Sequence, residues 1–443
     1  MKFIAALAVL GALSTAQAAK IAVIDSGLDY KHEMITPNLW TNANETFDRR
    51  DEDGNGYQDD VHGWNFAEQN GQIIDYKYVG TFSPDVRKYF DIQGKYLLKL
   101  ATEAEIAWMK EKQADKKFIK ELGKFGNFVH GTHVAGITIR DSQNEVMGLK
   151  LIPTEIKPFF EGLTKMNALQ ADKWQLLETA FTALATQQMK LLTTISEFAA
   201  FHKADVINGS FGTGFKQAKM ISDNAYRIIF LKKPSAEDSD RAAGIFIGAL
   251  VREGSKFVAA APNALFVFAA GNDGMSNDTY GTSPSNIKAD NVISVGATYK
   301  NEFFASFSNY GTKMVDIAAP GIVIDSAVPG NEYLKVSGTS QASPFVANVA
   351  AKIKSANVKL KPVEIKKILL GTVDKKAFLI DKVTAGGIVN TDRAVVAAQM
   401  TVTMSLDEAI SRAKTLVKDA PSEGRSASEF NKVEPLPMQL MFQ

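Results

Sequence analysis

Five short apolar runs along the chain each stop at a polar residue, a glycine or a proline. They are "KIAVIDSGLD" from Lys20, "ADVINGSFG" from Ala204, "NALFVFAAGNDG" from Asn263, "NVISVGA" from Asn291 and "VDIAAP" from Val315. Continuous rather than alternating apolar character predicts strands covered on both faces. Helical spacing fills the stretches between them. Strands alternating with helices predict a parallel sheet wound from βαβ units, with chemistry at the strands' C-terminal ends.

Two long stretches read as helical additions to that plan, about 76–126 and 159–203. In the first, Ser83-Pro84 has the form of a cap with proline at the first helical position, and helical character runs on towards Leu122. Its 11 Lys/Arg against 7 Asp/Glu between Tyr76 and Gly126 read as a solvated face. In the second, Leu177, Phe181, Leu184, Leu191, Ile195 and Phe198 fall on one stripe, which predicts core contact. Near the end, Ser405 and Glu408 form a capping-box pattern ahead of the stripe Leu406, Ile410, Ala413 and Val417. The polar residues after Pro421 are expected to be poorly ordered. The simplest division is a leader (1–18), one large domain (19–400) and a C-terminal helix and tail (401–443).

The leader assignment rests on "MKFIAALAVLGALSTAQAAK": one lysine, an apolar run, then small residues ending at Ala18. This is the layout of a secretory signal peptide cleaved after Ala18. The run is too short to span a bilayer, and no other segment is long and apolar enough to do so. Export permits disulfides, but the 443 residues include no cysteine, which also excludes a thiol nucleophile. A net charge of +1 points to neither nucleic acid nor acidic lipid. The expected product is soluble, exported (secreted or periplasmic) and monomeric.

Only five histidines occur, and two stand three residues apart in "FVHGTHVAGI", His130 and His133. Metal binding, proton transfer and packing are all open to such a pair. Acyl transfer needs a nucleophile, a base, a carboxylate that orients the base, and donors for the oxyanion. Asp25 ends a buried strand. Ser340 lies in "SGTSQASPFVANVAA", where Pro344 suits a first helical turn and Ala342, Val346, Val349, Ala350 and Ile353 form an apolar stripe. A serine at a helix N-terminus sits beside free N–H groups and the positive end of the dipole.

Together these stretches resemble the subtilisin-like serine peptidases. "AVIDSGLD" is similar to that family's aspartate motif, "HGTHVAG" to its histidine motif and "GTSQASPFVA" to its serine motif, in the family's order. "FAAGNDG" is similar to its oxyanion segment and "VINGSFG" to the edge strand that pairs with substrate. The resemblance covers roughly Lys20–Trp64, Asn127–Lys150 and Asp205–Ala398. It implies a subtilisin-like parallel sheet flanked by helices on both faces, and it assigns Ser340 as nucleophile, His130 as base and Asp25 as orienting carboxylate. It further implies Asn272 as oxyanion donor and Ser210, Phe211 and Gly212 as substrate-binding residues. His133 becomes a supporting residue within the helix. The resulting expectation is an exported serine endopeptidase of broad or apolar preference acting on proteins and peptides. The alternative is a catalytically silent binding protein on the same scaffold.

A second site is expected in "DEDGNGYQDD", where Asp51, Asp53, Asn55, the Tyr57 carbonyl and Asp60 have the spacing of the first half of a calcium loop. No bidentate glutamate follows, so Asp60 would substitute for it. The competing reading is an Asx-rich turn. Many subtilases carry a similar stretch and bind calcium.

Three departures from the family's pattern stand out. The aspartate strand follows the leader directly, leaving no room for an inhibitory propeptide. Asp25 and His130 are 105 residues apart, further than usual, because of the first insertion, which is expected at the rim of the cleft. Gln341 replaces the methionine common after the nucleophile, removing an oxidisable thioether.

Overall fold

A computed structural model describes residues 18–156 and 172–432. The leader up to residue 17 and the first part of the second insertion, 159–171, lie outside the described residues.

The central sheet follows the apolar runs. Its order from one edge is Asp374–Lys375, Gly387–Ile388, Ile317–Pro320, Val292–Tyr299, Leu265–Ala269, Val206–Gly209, Lys20–Asp25, Glu145–Lys150 and Gly63–Asn65. Neighbours run parallel from Gly387–Ile388 to Gly63–Asn65. Among the described residues, only Asp374–Lys375 and the short Phe303–Phe304 pair antiparallel with it. Along Lys20–Asp25, Ile21 and Val23 enter one core while Ala22 and Ile24 enter the other. Both faces are therefore buried, which is why these strands read as unbroken apolar runs.

The helices Lys116–Thr138 and Thr339–Ala356 pack on one face, and Lys173–Phe201, Phe215–Phe230 and Ala236–Ala259 on the other. In Lys173–Phe201 the expected stripe holds, with Leu177, Phe181, Ile195 and Phe198 buried and Leu184 and Leu191 packed beside them. The antiparallel hairpin Ile324–Val328 and Glu332–Val336 leads directly into the Ser340 helix.

The first insertion differs from its sequence reading. It forms the helices Pro84–Leu97 and Glu103–Ala114, and its end is continuous with the helix that carries His130. His130 therefore lies inside a 23-residue helix. Phe118, Leu122, Phe125 and Phe128 repeat at helical spacing and join Val86, Phe90 and the hairpin's Val328, Leu334 and Val336 in a third apolar cluster. That burial carries the helix across Gly123 and Gly126 despite glycine's entropic cost. Ser83 is the cap residue of Pro84–Leu97, but its hydroxyl donates to Glu121 (3.3 Å) instead of closing its own helix.

The tail also departs from expectation. Half of the capping box forms, with Ser405 Oγ accepting from Glu408 N at 3.4 Å. Between Pro421 and residue 432, where the described residues end, the chain is docked. Glu302 accepts from Ser422 Oγ (2.8 Å), Glu423 N (2.6 Å) and Arg425 N (3.0 Å), and Phe430 is buried against Tyr299 and Phe303. Polar composition could not reveal a receptor carboxylate more than a hundred residues earlier.

Candidate active site

Asp25 is the last residue of its strand and is fully buried. Its Oδ1 accepts from the Ser26 N–H (2.7 Å) and from His130 Nδ1 (2.7 Å). Ionised Asp25 can only accept, so Nδ1 carries the hydrogen and His130 Nε2 is left as the basic nitrogen. Asp25 Oδ2 is buried without a partner. An unrelieved buried carboxylate oxygen is costly, and positive charge on the imidazole offsets that cost.

The approach of the histidine helix to the aspartate loop is set by backbone shape. A Cβ at Gly131 would lie 2.0 Å from Gly27 O, so only glycine fits. The Gly131 N–H donates to Ser26 Oγ (3.0 Å), and Thr132 Oγ1 accepts from Asp29 N (3.0 Å). These bonds lock His130 against Asp25. Ser26 and Thr132 were not singled out in the sequence, since nothing local to either predicts a partner about a hundred residues away.

His133 does different work. Its Nε2 lies 2.9 Å from Leu334 O and 3.1 Å from Ile324 O, one carbonyl on each strand of the hairpin. Carbonyls only accept, so Nε2 is the donor and His133 ties helix to hairpin. Burial pushes its pKa down to about 3.

Ser340 is the second residue of its helix and is half-buried. Pro344 lies one turn deeper than a first-turn position and has no N–H to return to Ser340 O. The Ser210 hydroxyl takes that role, donating to Ser340 O at 3.0 Å, while Ser340 Oγ donates back to Ser210 O at 3.0 Å. Asn208 Nδ2 donates to Ser210 Oγ (3.0 Å), and Ser343 Oγ donates to Asn208 Oδ1 (2.8 Å). Among the described residues, no hydrogen bond joins Ser340 Oγ to His130.

Asn272 follows the strand Leu265–Ala269, and its Oδ1 accepts from Thr339 N and Thr339 Oγ1, both at 2.9 Å. That fixes the amide with Nδ2 free to donate elsewhere. Phe211 is buried and Gly212 exposed; a Cβ at Gly212 would meet Ser283 O at 2.5 Å. The strand ends at Gly209, so Ser210, Phe211 and Gly212 form its continuation past the sheet.

In the acidic loop, Asp51 accepts from Asn55 N (3.1 Å) and Gly56 N (2.9 Å), and Asn55 Oδ1 accepts from Tyr57 N (2.7 Å). Asp60 is fully buried and accepts from Asn42 (2.8 Å) and Asn55 (2.8 Å), with His202 Nε2 3.1 Å away. The Tyr57 ring packs against Trp64, Phe66 and Phe198. Two groups bring ligand atoms within 4.8 Å of one another: Glu45, Asp51 and Asp53, and Asp53, Asp60 and His202. Glu45 and His202 lie outside the motif, and only the folded chain brings them to it.

A carboxylate–histidine pair and a serine at a helix N-terminus, at the C-terminal ends of a parallel sheet, are the side chains that serine-hydrolase chemistry requires. The Subtilase family model matches residues 16–395, and the chain belongs to that family of serine-type peptidases. It is 27% identical over 383 residues to Subtilisin-like protease 1 of Plasmodium vivax, covering 85% of this chain and 47% of that protein. It is 38% identical over 155 residues to the thermophilic serine proteinase of Bacillus sp. (strain AK1), covering 35% of this chain and 37% of that one. These alignments span about half or less of the relatives' length. Among solved structures, the crystal structure of a cold adapted subtilisin-like serine proteinase aligns with TM-score 0.42 and 19% identity, covering 85% of this chain and 88% of that one. Among the described residues, no helix is long and apolar enough to cross a membrane.

Proposed function

We propose that this protein is an exported serine endopeptidase that cleaves proteins and peptides through Asp25, His130 and Ser340. The observation that carries the reading is the buried 2.7 Å bond from His130 Nδ1 to Asp25, which leaves Nε2 as the base. A substrate backbone lies along Ser210–Gly212, and its N–H takes Ser210 O, releasing the Ser340 hydroxyl to His130. Ser340 Oγ attacks the scissile carbonyl carbon as its proton passes to His130 Nε2. The oxyanion forms beside Asn272 Nδ2 and the Ser340 N–H. The C–N bond breaks with the proton going to the leaving amine, giving an ester on Ser340. Water then attacks that ester, giving a proton to His130, and the proton returns to Ser340 Oγ as the acid departs.

A serine-directed phosphonate should label the Ser340 peptide, read by mass, and Ser340→Ala should lower turnover about 10⁶-fold while remaining folded, the factor known for subtilisin's triad acting as a unit. Binding of peptides without labelling or turnover would instead favour the silent binding protein.

Export follows from residues 1–18, with a mature chain starting at Ala19. Ala19 N already donates to Ser355 Oγ (3.0 Å), a contact that a freed amino terminus keeps. Calcium is proposed for the acidic loop, held by Asp51, Asp53 and Glu45 with Asn55, the Tyr57 carbonyl and Asp60 nearby. An all-oxygen carboxylate set suits a hard cation, which would supply loop stability and no catalytic step.

A further inference from the structure

Gln341, directly after the nucleophile, is 1% exposed, yet neither its Oε1 nor its Nε2 has a hydrogen-bond partner. Native proteins rarely leave both ends of a buried amide unpaired. The surroundings of Gly338 show where that amide points. A methyl built on Gly338 would lie 2.8 Å from Gln341 Oε1, 3.6 Å from Ser340 N and 3.7 Å from Asn272 Nδ2. Three polar groups thus border one small space, and two of them are the oxyanion donors.

We propose that Gln341 is a further catalytic residue, a third donor to the oxyanion of a peptide or ester carbonyl. This rests on the peptidase reading above. At rest, Oε1 lies at the space those two donors border, without bonding to either. When a negative oxygen enters that space, Oε1 would be repelled. A half-turn of the terminal amide exchanges Oε1 for Nε2, and it breaks no hydrogen bond because neither atom has one. Nε2 then donates to the oxyanion. The amide is unpaired in the free enzyme and becomes paired only as charge develops. Such an interaction lowers the barrier without tightening ground-state binding. A methionine at this position fills the volume and offers no donor.

Gln341→Met tests this by keeping the bulk and removing the N–H. Its kcat should fall about 10- to 100-fold, at or below the 10²–10³ known for a single donor in subtilisin, with KM within about twofold. A peptide aldehyde, which forms a tetrahedral oxyanion on Ser340, should lose affinity by the same factor. A reduced-amide peptide, which has no carbonyl, should bind equally well. Gln341→Glu adds a pH signature. Its rate relative to Gln341→Met at the same pH should rise as the pH falls and the carboxyl gains a proton it can donate. Three results would overturn the proposal: kcat and aldehyde affinity of Gln341→Met within twofold of wild type, equal loss for aldehyde and reduced amide, or a pH-independent Glu/Met ratio. Wild-type protein that neither turns over peptide nor takes the phosphonate would defeat the peptidase reading itself, a different outcome from an active wild type with an indifferent Gln341.

Discussion

Asp25 holds His130 Nδ1 at 2.7 Å, and Asp60 holds His202 Nε2 at 3.1 Å, with all four side chains buried. The chemistry of the two pairs is the same and their surroundings are opposite. Asp60 spends both oxygens, with Asn42 on Oδ1 and Asn55 and His202 on Oδ2. Asp25 keeps Oδ2 unpartnered. His202 follows the last turn of the helix Lys173–Phe201 and is ringed by Trp40, Phe198 and Phe201. His130 lies instead in the element that closes on the aspartate loop, at the strand ends where Ser340 and Asn272 gather. A saturated carboxylate makes a clamp. One left short of a partner, facing a histidine with a basic nitrogen to spare, is what the proposed base requires.

The sharpest way to break that contrast is to disarm each pair. Asp25→Asn should lower kcat about 10⁴-fold because the amide favours the wrong imidazole tautomer, while the protein still folds. His202→Gln should leave kcat within about twofold and lower stability by about 1–3 kcal/mol, the cost of a hydrogen bond lost from a buried carboxylate. Steady-state kinetics and thermal melts on the two variants separate the roles. A large kcat loss in His202→Gln would mean that the acidic loop communicates with the catalytic end.

A second contrast lies within the histidine motif, where His130 bonds a carboxylate and His133 bonds backbone carbonyls. With a folded pKa near 3 against about 6.5 when unfolded, His133 favours folding fully above pH 6.5. Below that the unfolded chain gains the proton first, so stability is lost as pH falls, by about 1.4 kcal/mol per unit down to roughly pH 3. Between pH 6 and 4, His133→Asn should therefore show a shallower fall of unfolding free energy than wild type, by about that slope. Parallel curves in urea melts would deny His133 the role. The break would come where the hairpin that leads to Ser340 is tied to the helix carrying His130.

How much of this was legible beforehand depended on how local the cause was. The strands of the inner sheet announce themselves because burial on both faces demands apolar residues throughout. Glu145–Lys150 was missed since Glu145, Gly148 and Lys150 interrupt the run; Gly148 is there because a Cβ would press on Ile73 and Leu28 at about 2.9 Å. Motifs alone single out Asp25, His130, Asn272 and Ser340 as candidates, and the fold brings Asp25 to His130 and Asn272 to Thr339 beside Ser340. The Ser210–Ser340 exchange was not legible, although its cause, proline four residues after the nucleophile, stands in the sequence. In the sequence Gln341 shows only as a lost thioether, because an unpaired amide is a property of packing alone.

The last comparison bears on which carboxylates are free to take a cation. Asp60 is surrounded by donors from Asn42, Asn55 and His202, and a cation there would compete with three hydrogen bonds. Glu45 is held by backbone N–H groups of Glu52 (2.7 Å), Asp53 (3.1 Å) and Asp59 (3.2 Å), which aim it without neutralising it. Burial raises its pKa, a preference for the proton that a calcium ion would replace. Calcium bound only to the folded state should add about 2.7 kcal/mol at a hundredfold excess over Kd. The melting temperature should thus rise with calcium and fall with chelator. Asp53→Ala should abolish the shift, since Asp53 serves both groups, and Asp51→Ala should abolish it too if the oxygen set is the site. His202→Gln should leave the shift intact. If zinc stabilises instead, and His202→Gln removes that effect, the ion belongs to Asp53, Asp60 and His202, and the clamp described above would be a metal centre.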